Sequence, residues 1–331
     1  MKRFALIGAG FIGQVHAENL AVHPGVDLQL IYDVDDRRAT QLAARVGAEV
    51  TTNIADMFAP SRIDAVYIAS STNTHSDYLR RAADAGIAVI CEKPIDADLI
   101  TARATVAYVE AAGIPVMVDF NRRFDRDYSE IKRLIDSGAV GAVELMQMSS
   151  RGPSVPPLKY IAVSGGQMRD QTVHFFDLVR WFANADPVSV YVSGAAIAEP
   201  RLRDYDDVDT SVATLRLPSG GLVQIDSVRR TGYGYDERIE VVGSLGMVEA
   251  TRQRQGHVLR YFDGRVVGDG LHAGWFERVR PTYMSALTDF VTSLENGTTP
   301  SPTLSDALKA QAIAEAATAS LASGRCEAIA Y

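Results

Sequence analysis

Asp170 and His174 stand four residues apart in the segment Gly165-Gly166-Gln167-Met168-Arg169-Asp170-Gln171-Thr172-Val173-His174. On an α-helix that spacing puts both side chains on one face, where the carboxylate can hold an imidazole nitrogen and fix its tautomer. An imidazole held in this way suits general-base removal of a proton, and the same pair would also serve as a plain structural hydrogen bond. A second reactive type is Lys93, in Cys91-Glu92-Lys93-Pro94, directly after the apolar run Ala88–Cys91. Pro94 restricts Lys93 to extended backbone, and a lysine fixed at a strand end can hydrogen-bond a reacting hydroxyl. Most lysines are solvated surface residues, so Lys93 alone decides nothing. Neither His-Glu-x-x-His nor a cysteine cluster occurs, and no metal site is expected.

Those residues need something to act with, and the N-terminus supplies a candidate. Ala5-Leu6-Ile7-Gly8-Ala9-Gly10-Phe11-Ile12-Gly13 reads as a strand, a G-x-G-x-x-G turn and the start of a helix. Gly8 permits the tight turn, Gly10 lets a pyrophosphate approach the backbone, and Gly13 lets helix and strand pack closely; Phe11 and Ile12 present amides at the helix start. Asp33 follows the second strand, twenty residues after Gly13, where a carboxylate accepts hydrogen bonds from the adenosine ribose and repels a 2′-phosphate. This favours NAD over NADP, although Arg37 and Arg38 nearby soften the preference. Ser70-Ser71-Thr72-Asn73-Thr74-His75, after another buried strand, edges the same cleft, with helix capping by Thr72 or Thr74 as a compatible second reading.

The elements that must position these groups follow from periodicity. Short apolar runs at Phe4–Ile7, Leu28–Tyr32, Ala65–Ile68, Ala88–Cys91 and Val116–Val118 alternate with alanine-rich helical patterns, the mark of βαβ units and a parallel sheet. Residues 1–120 therefore read as a Rossmann-type NAD-binding domain. Residues 121–331 read as an α+β domain. Its helix at Tyr128–Ser137 precedes a strand at Val143–Ser149, a Gly/Pro-rich loop from Arg151 to Gly166 and one helix over Gln167–Phe182. Strands at Val188–Val192, Thr210–Leu217, Leu222–Val228, Arg238–Gly243 and Gly246–Ala250 predict a largely antiparallel open sheet, and helices at Tyr283–Glu295 and Leu304–Ser323 end the chain.

With 331 residues, 47% of them apolar, the chain can bury about two cores. Its formal charge of −8 opposes polyphosphate backbones and anionic membranes as generic partners. Two cysteines make no disulfide framework, and no apolar run is long enough for a signal peptide or a membrane span. A cytoplasmic setting is expected.

Taken together, Gly8-Ala9-Gly10-Phe11-Ile12-Gly13, Cys91-Glu92-Lys93-Pro94 and Asp170-Gln171-Thr172-Val173-His174, in that order, resemble the glucose-fructose oxidoreductase / inositol dehydrogenase / rhizopine-catabolism family across nearly the whole chain. Within the family, Ser71–His75, Asp119–Asp125, Tyr160–Gly166 and Gly232–Arg238 are most similar to inositol 2-dehydrogenases. The resemblance implies NAD-dependent oxidation of a ring hydroxyl, with myo-inositol to 2-keto-myo-inositol foremost. Other inositols, levoglucosan or an aldopyranose are the alternatives; further off stand an NAD-dependent glycosidase and a non-catalytic NAD-binding regulator. It further implies His174 as base, Asp170 as its orienting group and Lys93 as the group polarising the oxygen. Arg151, Tyr235 and Tyr283 would contact the ring, Glu92 and Asn121 would lie by the cofactor, and copies would assemble as a dimer or tetramer. Gly152 and Phe175 depart from the usual pattern by replacing polar side chains, which implies a changed choice of hydroxyls.

Overall fold

A computed structural model describes Met1–Tyr331. The chain forms two compact units, Met1–Phe124 with Thr282–Leu308, and Asp125–Pro281 with Lys309–Tyr331.

In the first unit, β1 (Lys2–Ile7), α1 (Phe11–Val22), β2 (Val26–Tyr32), α2 (Asp36–Val46), β3 (Glu49–Val50), β4 (Ala65–Ile68), α3 (His75–Ala85), β5 (Ala88–Cys91), α4 (Leu99–Ala112) and β6 (Val116–Val118) alternate as expected. The sheet order is β3-β2-β1-β4-β5-β6, with every pairing parallel. Strand order reverses between β1 and β4, and in such sheets ligands bind at the carboxyl ends beside that reversal. β4 and β5 are apolar throughout and wholly buried, as a parallel sheet covered on both faces requires.

The expected boundary at residue 120 moves only to Phe124, but the expected single block 121–331 is interrupted. Leu287, Phe290 and Val291 complete the core around Phe4, Leu20 and Leu28, with the Phe4 and Phe290 rings edge to face at 6.2 Å. The helix that carries them runs over Trp275–Asn296 with Pro281 inside it, well ahead of the expected start at Tyr283.

The second unit contains α5 (Arg126–Asp136), β7 (Val143–Arg151), α6 (Leu158–Ser164), α7 (Val173–Ala183), β8 (Ser189–Ala195), β9 (Thr210–Arg216), β10 (Leu222–Val228), β11 (Asp236–Gly243) and β12 (Gly246–Ala250). A hairpin, β13 (Leu259–Phe262) with β14 (Arg265–Gly268), precedes the long helix, α8; then α9 (Leu304–Ser323) and β15 (Glu327–Ala328) follow. The seven-stranded sheet runs β12-β11-β7-β10-β9-β8-β15. Only β7 and β10 pair in parallel there, so the sheet is largely antiparallel as expected.

Alternation gives this sheet two faces. Met146, Met148 and Ser150 on β7, Val223, Ile225 and Ser227 on β10, and Glu237 and Ile239 on β11 are buried on one face. Gln147, Ser149 and Arg151 line up beside Gln224, Asp226 and Arg238 on the other.

Three local expectations are corrected. The stretch from Arg151 to Gly166 is not all loop, because Leu158–Ser164 forms α6, with Ile161 packed against Leu202 and Ala196. The helix expected over Gln167–Phe182 forms, but not as a uniform α-helix: it contains a π-helical turn, Met168–Thr172, ahead of α7. The β13–β14 hairpin was not expected because its strands are exposed and do not alternate between core and solvent, although Asp263-Gly264, both at positive φ, is a two-residue hairpin turn.

Candidate active site

The first unit concentrates its special backbone at the β1/β4 reversal. Gly8 has φ +105°, and a Cβ there would meet the Ala69 carbonyl oxygen at 2.4 Å. A Cβ at Gly13 would come 2.0 Å from the Gly8 carbonyl oxygen, so glycine is what lets α1 pack on this turn. Gly10, by contrast, faces open space. It is also the N-cap of α1 and provides no side-chain acceptor, whereas Asp35, Asp98 and Asp125 cap α2, α4 and α5. Gly10 thus supplies no side-chain cap to α1, and an anion at a helix N-terminus can satisfy its amides.

Asp33 braces this loop. Its Oδ2 accepts the Ala9 amide at 2.6 Å and its Oδ1 the Asp35 amide at 2.8 Å. Each carboxylate oxygen retains lone pairs for ribose hydroxyls. Arg38 lies 3.4 Å from Asp35 rather than against Asp33, and is mostly exposed. Gly8, Gly10 and Gly13 with Asp33 fit a dinucleotide, and the acid at Asp33 fits NAD.

The loop after β4 is knotted by its own side chains. Ser70 and Thr74 hydroxyls are 2.7 Å apart, and Thr74 donates to the Ser71 carbonyl. Thr74 occupies the N-cap of α3 without a side-chain cap bond, so the capping reading is not realised there. Thr72 and Asn73 sit in a short 3-10 turn before α3. His75, expected beside the cofactor, lies between two loops: it is 1% exposed, its Nδ1 lies 2.7 Å from the Pro94 carbonyl oxygen and its Nε2 lies 3.1 Å from that of Ser70.

Glu92 and Asn121 also turn inward. His16 Nε2 and Glu92 Oε1 are 2.8 Å apart, and Asn121 donates to Thr282 Oγ1 at 2.8 Å while accepting from Arg122. Tyr283 meets the His16 ring edge-on at 5.3 Å. Around them lies a cluster the sequence did not reveal. His16 stacks on Tyr67 at 4.0 Å, Tyr67 donates to Asp119 Oδ2 at 2.6 Å, and Asp119 Oδ1 is buried without a hydrogen-bond partner. Burial foremost, then the neighbouring Glu92, pushes the Asp119 carboxyl up to about 7. His16, Glu92 and Asp119 bring metal-ligand atom types within 4.8 Å of one another, a grouping their positions along the chain do not announce. The helical position of His16, three residues past Gly13, was its only sequence signal.

In the second unit Asp170 lies in the π turn and His174 in the first turn of α7. The two residues are thus joined through a wider turn than the regular α-helix assumed for their pairing. Asp170 Oδ1 accepts the Tyr160 hydroxyl at 2.7 Å, and Oδ2 lies 3.9 Å from Nη2 of Arg229. Arg229 is 2% exposed and bound through Nη1 to Asp207 at 2.7 Å, with its buried Nη2 making no hydrogen bond. Gln171 bonds the Ser150 and Val228 carbonyls, and Thr172 the Ser227 hydroxyl, which seats the turn on the sheet's buried face. Sequence reading missed Arg229 and Asp207, which lie far along the chain, and knew Tyr160 only as part of a familiar passage.

Arg151 is corrected. Its guanidinium binds Asp226 and the Tyr233 hydroxyl on the opposite sheet face from Ser150, away from the face that seats His174. The hydrogen bond to Asp226 holds its pKa above the usual arginine range. Phe175 is 1% exposed and packs in the core, so it is not beside the base as a lining residue. Gly152 bonds the Val228 carbonyl through its amide, and a Cβ would meet little there. Tyr235 donates to Glu237 at 2.6 Å, alongside Tyr128.

A parallel sheet in the order 3-2-1-4-5-6, an uncapped glycine-turn helix and an acid after β2 define an NAD-dependent oxidoreductase. Comparison with known proteins sets it in its family. Residues 2–120 match the model described as "Oxidoreductase family, NAD-binding Rossmann fold", residues 128–249 match the GFO/IDH/MocA C-terminal domain, and the chain belongs to that family. It is 39% identical over 98% of both chains to an inositol 2-dehydrogenase of Rhizobium meliloti. Among solved structures, a probable dehydrogenase from Thermotoga maritima is 34% identical with a TM-score of 0.95, covering 99% of this chain and 98% of that one. A scyllo-inositol dehydrogenase from Lactobacillus casei, solved with NAD(H) and scyllo-inositol, is 25% identical with a TM-score of 0.93 over all of both chains. No helix is long and apolar enough to cross a membrane.

Proposed function

We propose that this dehydrogenase oxidises one secondary ring hydroxyl of a cyclitol, with myo-inositol to 2-keto-myo-inositol the leading reaction. The observation that carries the reading is Asp170, braced by Tyr160 and Arg229 at the junction where the π turn hands over to the helix of His174. An acid hydrogen-bonded at one oxygen and faced by a guanidinium at the other is a fixed acceptor, and a fixed acceptor keeps an imidazole oriented. His174 removes the hydroxyl proton, Asp170 orients it, and Lys93 donates a hydrogen bond to the oxygen as it gains carbonyl character. NAD, when bound, supplies the hydride acceptor. The glycine turn and Asp33 hold its adenosine half, while Ser70, Ser71, Thr72, Asn73 and Asn121 border the cofactor. Tyr235 and Tyr283 border the substrate. The inositol dehydrogenases among the relatives support a cyclitol over other polyols. Two free cysteines, one buried and one exposed, support a cytoplasmic setting.

The test is NADH formation across a panel of inositols, levoglucosan and aldopyranoses. Activity highest on an inositol is expected; activity on none overturns the reading. Lys93→Ala should lower kcat by about 1,000-fold while NADH affinity stays within about threefold. We further infer assembly of copies into a dimer or tetramer through the outward sheet face, which light scattering measures.

A further inference from the structure

Lys93 stands between two residues that buried histidines grip. On its N-terminal side, Glu92 Oε1 lies 2.8 Å from His16 Nε2. On its C-terminal side, the Pro94 carbonyl oxygen lies 2.7 Å from His75 Nδ1. Both rings are 1% exposed. The two histidines come from separate elements, and each element carries part of the cofactor edge. His16 is on α1, the helix opened by the glycine turn, and His75 is the first residue of α3, directly after Ser70–Thr74. His75 also reaches the Ser70 carbonyl at 3.1 Å, so one ring ties two cofactor-edge loops.

Packing alone does not explain His16. Tyr67 stacks on its face at 4.0 Å with an interplanar angle of 26°, Tyr283 closes its edge, and Asp119 Oδ2 stands 3.8 Å from the same Nε2. An aliphatic side chain would fill that space without desolvating an imidazole, but would leave Glu92 without its hydrogen-bond partner. What the polar cluster adds is direction: hydrogen bonds to a ring held on two sides fix where Glu92 sits, and fixing Glu92 fixes the backbone from which Lys93 projects.

We infer that His16 and His75 are positioning residues for Lys93, clamping its two chain neighbours so that the ammonium is held in register with the glycine turn. The inference rests on the proposed role of Lys93 for its functional weight, while the clamp itself can be measured apart from that role.

Three variants test it in the NADH-bound protein, His16→Phe, His16→Gln and His75→Phe. His16→Phe keeps a ring against Tyr67 and removes the nitrogen, and His16→Gln restores an amide donor. The first readout is the rate at which a lysine-directed acylating reagent labels Lys93, followed by peptide mass spectrometry; the second is the division between kcat and cofactor affinity. His16→Phe should change Lys93 labelling by about tenfold and lower kcat by about 10- to 100-fold, with the NADH Kd within about threefold. His16→Gln should recover most of both, and His75→Phe should repeat the His16→Phe pattern. Labelling and kcat like those of the unaltered protein would overturn the clamp. So would a loss of NADH binding as large as the loss of kcat, which would mark general damage to the cofactor side. Should His16→Phe fail to fold, Glu92→Gln weakens the same bond at nearly constant volume and is judged on the same readouts. If Lys93→Ala turned over normally, the proposed reaction would fall, yet the labelling of Lys93 in the histidine variants would still decide the clamp.

Discussion

In the first unit the groups that fit the cofactor are mainly backbone: amides at the start of α1, carbonyls that tolerate only glycine at Gly8 and Gly13, and one carboxylate that receives the Ala9 amide. In the second unit the groups around Asp170 are side chains gathered from Tyr160, Arg229 and Asp207, up to tens of residues away. A backbone site is set by local conformation, and few sequences meet it. A side-chain site is set by packing, and each member contributes a graded share. The first should break all at once and the second by degrees.

Substitutions can break or sharpen that contrast. Gly13→Ala forces a Cβ to within 2.0 Å of a backbone oxygen, and the NADH Kd should rise on the order of 100-fold in a fluorescence titration. Near-normal affinity would show that the turn yields more easily than its geometry implies. Tyr160→Phe removes one brace from Asp170 and leaves Arg229, so kcat should fall by about 3- to 10-fold with NADH affinity unchanged. A loss as large as that of Lys93→Ala would make Tyr160 part of the reacting group rather than its support.

The smallest effect concerns stability. Asp119 is raised from 3.8 to about 7, chiefly by burial, so the folded state holds a proton that the unfolded state releases. That contribution is whole below about pH 4 and is lost as pH rises through about 7. Asp119→Asn keeps an acceptor for the Tyr67 hydroxyl without the titration. Thermal unfolding between pH 4 and pH 8 should therefore show the variant's Tm falling less than that of the unaltered protein, by about 2 to 5 °C. Parallel Tm curves would place the proton elsewhere in the cluster.

The same contrast explains what could be read from the sequence. Gly8, Gly10, Gly13 and Asp33 were legible because each answers a local demand, a turn, an approach or a strand end, and local demands leave spaced residue types. The parallel sheet was legible because burial on both faces leaves uniform apolar runs. Arg151 misled because a one-residue step along β7 moves a side chain to the other face, and the register was invisible until β10 and β11 were paired with it. The His16 cluster was hidden because its members, residues 16, 67, 92, 119 and 283, share no sequence neighbourhood. Phe175 looked like a ring-lining residue because it adjoins His174, yet neighbours in a helix point in different directions.

The π turn at Met168–Thr172 has one more consequence. It takes one more residue into a turn than an α-helix does, so the segments on either side nearly keep their phase while the spacing across the turn changes. Removing Gln171 would leave a regular α-helix in which Asp170 stands three residues before His174 rather than four, with a different rise and angle between the two side chains. Such a shortened chain should keep its NADH affinity and lose turnover, with every side chain named in the chemistry still present. Length, at this one place, would then be as much a determinant of the reaction as residue identity.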